Sequence, residues 1–439
     1  MSVLLILVYT SLFTWLIFKA GFFNIQGISR LQLSGIFILK VLCGTGLLLI
    51  YKYYYETTKY ADAIMYYKDG VKIYDVAFTN PLDYFRIITG IDINQPHIQD
   101  FLQNLKFWDR RIDYGLYNDN RSIIRFNGIV SLFSFKHIYV HTVFSAFVSF
   151  LGLTAILKSF NRLVKNKYLL LIAVYLVPSV LFWTSGILKD ALLMLPLGFL
   201  VYFLHRMNEN GRLHWKYLIG VVLSLLLVLI CKVYVFFMLI PAVLSWLCLI
   251  VFRTRYRIIV FAAVHILCFA AVFNIHHVFE NYNFSEIISG KLNDFNALLE
   301  LRGNVGSAVE IPAIEPSFWG VLKNVPNALL ISFFRPHVFE AYSLVVLMAA
   351  LENLVIAILI LLTGIFFRRK IHAQSVPYLL FSVSFILMLF TLTGLTTPVL
   401  GAVVRYKAPA LPFLFLLFVM LINREKLFGR KWKFGSLRF

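Results

Sequence analysis

A short polar turn between two apolar stretches, Phe182 to Asp190 (FWTSGILKD), carries the residues best suited to chemistry. Gly186 permits a tight reversal of the chain, and Lys189 and Asp190 begin the next apolar stretch. If that stretch is a helix, its free N-terminal N–H groups, Ser185 and Lys189 form a natural binding site for a phosphate group. The alternative is a structural turn at the membrane surface, in which Lys189 pairs with Asp190. We favour a functional role, because an ionisable pair so close to hydrocarbon is costly without a purpose.

A second basic cluster, Arg405-Tyr406-Lys407, opens the last apolar stretch. The planar guanidinium fork of arginine suits a pyrophosphate, whereas the lysine ammonium acts as a point charge. Further cations stand at Lys232, in a turn between two apolar stretches, and at Arg335. Each of them alone can be a headgroup anchor. Together they predict one anion-binding pocket with the phosphate ligands Ser185, Lys189, Arg335, Arg405 and Lys407, and with the secondary candidates Asp190, Lys232, His337 and Tyr406.

The candidate base is Asp62, which lies in the segment Tyr60 to Tyr67 (YADAIMYY), soon after an apolar stretch. At the depth of a lipid headgroup, a carboxylate can deprotonate a sugar hydroxyl as a general base, or it can hold a divalent metal ion. The alternative is an ordinary solvated acid. No set of metal ligands is predicted, because the four cysteines lie in or beside apolar stretches without metal-binding spacing. No cofactor is assigned beyond the optional divalent ion.

These residues need a scaffold of membrane-spanning helices, because the chain is 60% hydrophobic with a mean hydropathy of +0.80 and apolar runs recur from end to end. We predict an all-α polytopic membrane protein, a single integral membrane domain over residues 1–439, with about eleven transmembrane helices. The predicted spans cover residues 2–18, 33–52, 137–157, 168–184, 188–205, 217–232, 233–252, 258–276, 341–367, 377–395 and 402–422.

Lysine and arginine residues orient the predicted spans, because both are enriched in the cytoplasmic loops of membrane proteins. With this set of spans, one face holds the basic C-terminal tail and the short basic loops near residues 19–30, 158–167, 206–216, 253–257 and 368–370. The N-terminus is then outside and the C-terminus is cytoplasmic. Two long segments, 53–136 and 277–340, become outer (periplasmic) loops, and we expect both to be packed and partly helical. They hold seventeen of the 21 Asp and Glu residues, which places most of the acids outside.

The net charge of +20 follows from this topology, because cationic loops bind anionic lipid headgroups. A nucleic-acid partner is therefore not expected. Five cations are exceptions to the pattern because they fall on the outer side, and they mark where we expect the site: Lys189, Lys232, Arg335, Arg405 and Lys407.

Three features of the chain resemble bacterial multi-pass glycosyltransferases of the C-type superfold, which use polyprenyl-phosphate sugars and include the protein mannosyltransferases and the aminoarabinose transferases. The features are the acidic first outer loop with Asp62, the turn from Phe182 to Asp190, and the start of the last span at Arg405-Tyr406-Lys407-Ala-Pro409. The resemblance implies glycosyl transfer from an undecaprenyl-(pyro)phosphate-linked donor on the outer face of a bacterial cytoplasmic membrane, in the assembly of cell-surface polysaccharide or glycoconjugate. It also implies that Asp62 activates the acceptor hydroxyl while the outer cations bind the lipid phosphate.

Three alternatives stay open. O-antigen and exopolysaccharide polymerases also have many spans and outer arginines for lipid pyrophosphate, a role that suits Arg335 and Arg405. A lipid-linked oligosaccharide flippase or other transporter needs polar residues deep within spans, and Glu352-Asn353 is the main candidate. Most spans lack an ionisable residue at their midpoint, which favours chemistry at one face. A membrane scaffold is the third alternative. The expected partners are a polyprenyl-phosphate-linked sugar and membrane lipids, and no oligomeric state is predicted.

Overall fold

The structure, a computed structural model, describes residues 2–54, 61–109, 117–280, 282–302 and 308–428. Within these ranges the regular elements are helices, accompanied by three isolated β-bridges, so the chain is all-α as predicted. Tyr60 and the C-terminal tail from residue 429 onward, both named in the sequence-based predictions, lie outside the described residues.

Twenty α-helices occur in the described ranges. In chain order they are α1 (Ser2–Lys19), α2 (Arg30–Leu49), α3 (Asp62–Thr79), α4 (Pro81–Thr89), α5 (Pro96–Gln103), α6 (Asn120–Ser134), α7 (Ile138–Phe160), α8 (Lys167–Leu171), α9 (Pro178–Trp183), α10 (Lys189–Asn210), α11 (Trp215–Cys231), α12 (Val233–Phe252), α13 (Arg257–Asn274), α14 (Phe284–Arg302), α15 (Phe318–Phe334), α16 (Leu344–Ile365), α17 (Val376–Thr396), α18 (Leu400–Lys407), α19 (Leu411–Leu421) and α20 (Arg424–Phe428). Short π or 3-10 segments continue some of them, including Ile172–Leu176 after α8 and Ala408–Ala410 between α18 and α19.

Nine helical stretches of the described chain are long and apolar enough to cross a membrane. They are Ser2–Lys19, Arg30–Tyr53, Ile138–Phe160, Lys189–Asn210, Val233–Phe252, Arg257–His277, Leu344–Ile365, Ala373–Thr396 and Leu400–Leu421. Each of them overlaps one predicted span. The two remaining predicted spans, 168–184 and 217–232, overlap the shorter apolar helices Lys167–Leu176 and Trp215–Cys231. The helices thus have the length and composition of a multi-pass membrane protein.

The chain divides into two compact units. Unit 1 comprises Met1–Asn161 and Val180–Phe237, and unit 2 comprises Arg162–Ser179 and Met238–Phe439. The boundary between the units passes through α9 and α12. Each unit has its own group of packed apolar helices.

Unit 1 is built around α7 and α10, whose backbones approach closely at two glycines. A Cβ atom on Gly152 would lie 1.9 Å from the Met194 carbonyl oxygen, and a Cβ atom on Gly198 would lie 1.9 Å from the Gly152 carbonyl oxygen. No side chain fits at either glycine, and such small residues allow the tight helix contacts that are common in membranes. In addition, α2 packs against α7, and α11 packs against α10. This packing holds the first turn of α10, which carries Lys189 and Asp190.

The described residues of the segment 53–136, which is predicted to be an outer loop, are largely helical. α3 contains most of the YADAIMYY stretch, α4 begins at Pro81, and α6 contains Arg125 and the residues after it. α3 packs against α6, and a Cβ atom on Gly70 would lie only 2.4 Å from the Asn127 Cβ atom.

A buried histidine links α6 to α7. The Nδ1 atom of His141 lies 2.7 Å from Asn127 Oδ1, and its Nε2 atom lies 2.8 Å from Ser134 Oγ. All three side chains are fully buried. Because these contacts hold α6 against α7, they also position Asn120, the first residue of α6.

The turn between α9 and α10 is packed against α2. Lys40, in the middle of the span Arg30–Tyr53, donates to Oγ1 of Thr184 at 2.9 Å and to the Thr184 carbonyl at 3.3 Å. A Cβ atom on Gly44 would lie 2.3 Å from the Ser185 carbonyl oxygen. Ser185 is fully buried, and its hydroxyl donates to the Leu181 carbonyl at 2.5 Å. Contacts with α2 therefore hold the turn in place.

Unit 2 places α15, α14 and α19 against α17, and α16 against α15 and α19. The sequence put α15 within the second outer segment. The structure adds a close contact with a membrane-spanning helix, because a Cβ atom on Gly394 of α17 would lie 2.0 Å from the Ala328 carbonyl oxygen. Residues 318–334 are thus part of the helical core of unit 2.

A pair of glycines in α2 tests the packing of the α9–α10 turn. We expect Gly44→Ala to destabilise the protein by about 1–3 kcal/mol, because its methyl group overlaps the Ser185 carbonyl. Gly46→Ala is the matched control, because nothing lies within 4 Å of a Cβ atom there. Its effect should stay within about 0.5 kcal/mol or be slightly stabilising. Thermal unfolding in detergent measures both variants, and equal effects would contradict the described contact.

Candidate functional site

A buried polar cluster of unit 1 lies where α6, α10 and α11 meet. We call it the lysine–aspartate cluster and define it as Asp119, Asn120, Lys189, Asp190 and Lys232. Lys189 Nζ donates to Asp119 Oδ1 at 2.6 Å and to Asn120 Oδ1 at 2.8 Å. Lys232 Nζ donates to Asp190 Oδ1 at 2.5 Å. Each of the five residues is less than a tenth exposed.

Every member of the cluster occupies a helix end. Lys189 and Asp190 are the first two residues of α10, Asp119 and Asn120 begin α6, and Lys232 directly follows α11. The helix dipole favours a carboxylate at a helix start, as at Asp119 and Asp190. Lys232 follows the end of α11, where a cation is favoured, but it also precedes the start of α12, where a cation is disfavoured. The dipole of α10 disfavours Lys189, and the direct contact with Asp119 offsets this.

Pairing is what makes the burial of these charges tolerable. A buried ammonium or carboxylate loses its hydration, and only close opposite charges and hydrogen bonds compensate for that loss. The cluster provides one aspartate for each of its two lysines. Lys189 thus finds its carboxylate at Asp119, seventy residues away in sequence.

Two tyrosines surround the cluster. The Tyr66 hydroxyl donates to Asn120 Oδ1 at 3.0 Å, and Lys189 Nζ lies 5.9 Å from the centre of the Tyr66 ring. Lys232 Nζ lies 3.2 Å from the Tyr234 hydroxyl. Asp62 is the first residue of α3 and is partly buried. It stands one helical turn before Tyr66 on the same face of α3, because residues four apart are neighbours on a helix.

Four residues of unit 1 were missed in the sequence-based site. Asp119, Asn120 and Tyr66 contact Lys189 or its partner, although no spacing pattern connects them with the turn from Phe182 to Asp190. Lys40 holds that turn from within a membrane-spanning helix. A detectable signal for Lys40 did exist, because a lysine in the middle of an apolar span is rare.

Residues 53–136, which are predicted to form an outer loop, hold ten Lys and Arg residues as well as ten acids. The predicted topology therefore has more cations on its outer side than the five exceptions. Several of the cations in residues 53–136 have acidic or aromatic partners in the structure. Arg121 pairs with Asp109, Lys136 Nζ lies 2.5 Å from Asp75 Oδ1, and Arg125 stacks on Trp108 with 5.2 Å between the guanidinium carbon and the ring centre.

In unit 2, Arg335 has an acidic partner. Its Nε atom donates to Glu340 Oε1 at 2.8 Å, and the backbone N–H of His337 donates to Glu340 Oε2 at 2.9 Å. Burial raises the pKa of Glu340, but the hydrogen bonds from Arg335 and His337 outweigh it and hold that pKa below its ordinary value. The predicted phosphate ligand Arg335 and the secondary candidate His337 thus converge on one carboxylate.

Lys407 lies fully buried at the end of α18. Its Nζ atom donates to Asn353 Oδ1 at 2.6 Å and to the Ser332 carbonyl at 2.9 Å. Asn353 in turn donates to the Pro336 carbonyl at 2.9 Å. Lys407 therefore ties α18 to α15 and α16, and it lies deeper in the protein than a headgroup anchor would.

The predicted site residues divide between the two units. Asp62, Ser185, Lys189, Asp190 and Lys232 belong to unit 1, whereas Arg335, His337, Arg405, Tyr406 and Lys407 belong to unit 2. Arg405 and Tyr406 lie in the last turn of α18 and are partly buried. That all of these residues form one anion-binding pocket stays a prediction. Among the described residues, no three His, Cys, Asp or Glu side chains are grouped so that they could hold a metal ion.

Two aspartates of the segment 53–136 test how much burial increases the stabilisation that an ion pair provides. Asp119→Asn should destabilise the protein by about 3–5 kcal/mol, because it leaves Lys189 buried without its carboxylate. Asp75→Asn makes the same chemical change in an exposed ion pair, and its cost should stay below about 1 kcal/mol. Unfolding by heat or denaturant in detergent measures the difference. Equal losses of stability in the two variants would show that the buried pair contributes no more than the exposed pair.

The Arg335–Glu340 contact predicts a dependence on acid. Because the pKa of Glu340 is lowered in the folded protein, its ionised form stabilises unit 2 above its ordinary pKa, and that contribution is lost as the pH falls through the lowered value. Wild-type protein should therefore be more stable than Glu340→Gln near neutral pH, and the two should converge in acid. Glu310→Gln, at an exposed glutamate, is the control. A difference that does not change with pH would contradict this role of Glu340.

The described residues place the chain among all-helical, multi-pass membrane proteins, with a buried lysine–aspartate cluster in unit 1 and a buried lysine in unit 2. No protein-family model, curated protein or solved structure matches the chain.

Proposed function

We propose that this chain is a membrane glycosyltransferase that moves a sugar from an undecaprenyl-(pyro)phosphate-linked donor to an acceptor on the outer face of a bacterial cytoplasmic membrane. The observation that carries the proposal is the lysine–aspartate cluster. It concentrates two lysines and two aspartates at the first turn of α10, where that membrane-spanning helix begins. Such buried ionisable groups at a helix end are expensive to maintain, and in membrane proteins they mark functional sites.

The proposed topology has eleven spans, with the N-terminus outside and the C-terminus in the cytoplasm. The nine long apolar helices are nine of these spans, and we propose that the shorter apolar helices Lys167–Leu176 and Trp215–Cys231 belong to the other two. The short basic loops then face the cytoplasm, as the lysine and arginine bias requires. The first turn of α10 and the start of α3 lie on the outer side in this arrangement, which is where a translocated lipid-linked sugar would be found.

The proposed reaction needs two kinds of group. Asp62, or Asp119 of the same outer segment, accepts the proton of the acceptor hydroxyl as that oxygen attacks the sugar. The bond from the sugar to the phosphate breaks, and the leaving lipid phosphate gains negative charge. Lys189 and Lys232 stabilise that charge more strongly as it develops, which is how prepositioned cations lower a barrier.

The pairing of the lysines supports this role because it fixes their positions. Lys189 and Lys232 are each held by an aspartate at 2.6 Å or less, so neither ammonium has to be ordered when a donor binds. Preorganised charges cost little reorganisation at the moment of reaction. The roles of Arg335, Arg405 and Lys407 of unit 2 as ligands of the lipid phosphate stay predictions from the sequence.

A second candidate function is the flipping of a lipid-linked oligosaccharide. Buried ionisable residues inside the long apolar helices favour it, among them Lys40, Glu352 and Lys407. A transporter needs such groups along its path.

A polymerase of surface polysaccharide would use the same donor chemistry as a transferase, and the distinction between them lies in the acceptor.

Purified protein in detergent, supplied with synthetic polyprenyl-phosphate and polyprenyl-pyrophosphate sugars, tests the proposal. Asp62→Asn should reduce sugar transfer by about a hundredfold or more, the typical contribution of a catalytic acid–base group. Arg405→Ala should also reduce transfer, because it removes a cation predicted to bind the lipid phosphate. Neither substitution changes Asp119, Lys189, Asp190 or Lys232, so the variants should keep their helical content and their membrane insertion.

The control is Asp75→Asn, which alters an exposed acid of the same outer segment and should retain transfer. Detergent abolishes sidedness, so transfer there distinguishes an enzyme from a flippase, which requires a sealed bilayer. Unchanged transfer in both site variants would reject the assignment of these residues. Absence of transfer with every donor, combined with donor movement in sealed vesicles, would favour the flippase.

A further inference from the structure

Glu352 of unit 2 is a carboxyl group that the proposed reaction does not use. It lies near the middle of α16, a helix that is long and apolar enough to span the membrane, and it is 4% exposed. Its Oε2 atom accepts a hydrogen bond from the backbone N–H of Ser179 at 2.7 Å. Its Oε1 atom is buried and has no hydrogen-bond partner among the described residues.

The nearest charge does not neutralise this carboxyl group by direct contact. Lys407 is the cation that acts on Glu352 electrostatically, but its Nζ atom is bound to Asn353 and to the Ser332 carbonyl. Within the described part of the chain, no ammonium nitrogen lies within 4 Å of the Glu352 carboxyl oxygens.

Other charges near α16 are occupied or exposed. The segment Val338–Glu340, which packs against α16, carries Glu340 with its partner Arg335, and His337 lies 3.5 Å from the same carboxylate. α15 carries Lys323, which is exposed. α19 carries no charged residue. Lys407 therefore acts on Glu352 only at longer range, and the Oε1 atom has no cation in direct contact.

An ionised carboxylate in this position would be strongly disfavoured. Burial of an unpaired charge costs several kcal/mol, and a group in this situation usually becomes neutral instead. One bound proton removes the charge and leaves Oε2 free to accept from Ser179. We propose that Glu352 is a proton-binding site within the membrane-spanning part of unit 2, with the proton on Oε1.

Loss of this proton would change the charge of the site by one unit. Loss of the proton would place a carboxylate beside Asn353, which accepts a hydrogen bond from Lys407. The ammonium group of Lys407 would then be attracted toward Glu352. The polar contacts that join α15, α16 and α18 are therefore coupled to this proton. This inference is independent of glycosyl transfer, because it rests on the burial and hydrogen bonding of Glu352 alone.

Infrared spectroscopy of the full-length protein in detergent tests the proposal. The wild-type protein should show the carbonyl band of a neutral carboxylic acid near neutral pH, and Glu352→Gln should remove it. Glu286→Gln, at an exposed glutamate of the same unit, should leave the band in place. Absence of the band in wild-type protein, or its persistence in Glu352→Gln, would overturn the proposal.

Carbodiimide labelling of the wild-type protein gives a second test that does not require a variant to fold. Carbodiimides react with protonated carboxyl groups in apolar surroundings, so mass spectrometry should locate the label on Glu352. Labelling should fall about tenfold per pH unit once the carboxyl group ionises. Protection by sodium ions without any dependence on pH would show a metal cation in place of the proton and would overturn the proposal, as would absence of label on Glu352 at every pH.

Discussion

Ionisable groups buried in an apolar helical protein must find partners, and this requirement organises the polar contacts of the chain. In unit 1, Lys189 and Lys232 each receive an aspartate, and the tyrosine hydroxyl of Tyr66 completes the hydrogen bonding of Asn120. In unit 2, Lys407 is satisfied by an amide and a backbone carbonyl. A lysine without such acceptors would carry the full penalty of desolvation. Within each unit, these contacts consequently join the helix ends that carry the groups. In unit 1 the pairing forms the lysine–aspartate cluster.

Close packing of helix backbones fixes the positions of the paired residues. Gly152 and Gly198 let α7 and α10 touch, and Gly44 lets α2 reach the turn before α10. Small residues at such contacts are a general device in membranes, where lipid tails compete equally well for apolar side chains. The same turn is held by Lys40, so a polar contact and a steric one reinforce each other. The first turn of α10 is thus fixed from two sides, which suits a group that must be in place before a substrate binds.

Much of the helical scaffold could be predicted from sequence, because an apolar run of sufficient length has few alternatives to a helix in a membrane. The nine long apolar helices overlap predicted spans, and their ends agree within a few residues. Lys189, Asp190 and Lys232 could also be singled out, because each stands at the end of an apolar run. Asp119 and Asn120 could not be singled out, because no sequence pattern connects them with Lys189, which lies seventy residues after Asp119. α15 falls within the predicted second outer loop, and Lys323 and Pro326 interrupt its apolar sequence. Its close contact with α17 is seen only in the structure.

The central claim is that the lysine–aspartate cluster lies beside the phosphate of a lipid-linked sugar. Photo-crosslinking tests it most directly, with a polyprenyl phosphate that carries a photoreactive group next to the phosphate, added to wild-type protein in native-like lipid. The account predicts crosslinks at the start of α10 and along the first turns of α3, around Lys189 and Tyr66, and their loss on competition with unlabelled polyprenyl phosphate. Crosslinks confined to lipid-exposed helices such as α13, with no competition, would contradict it.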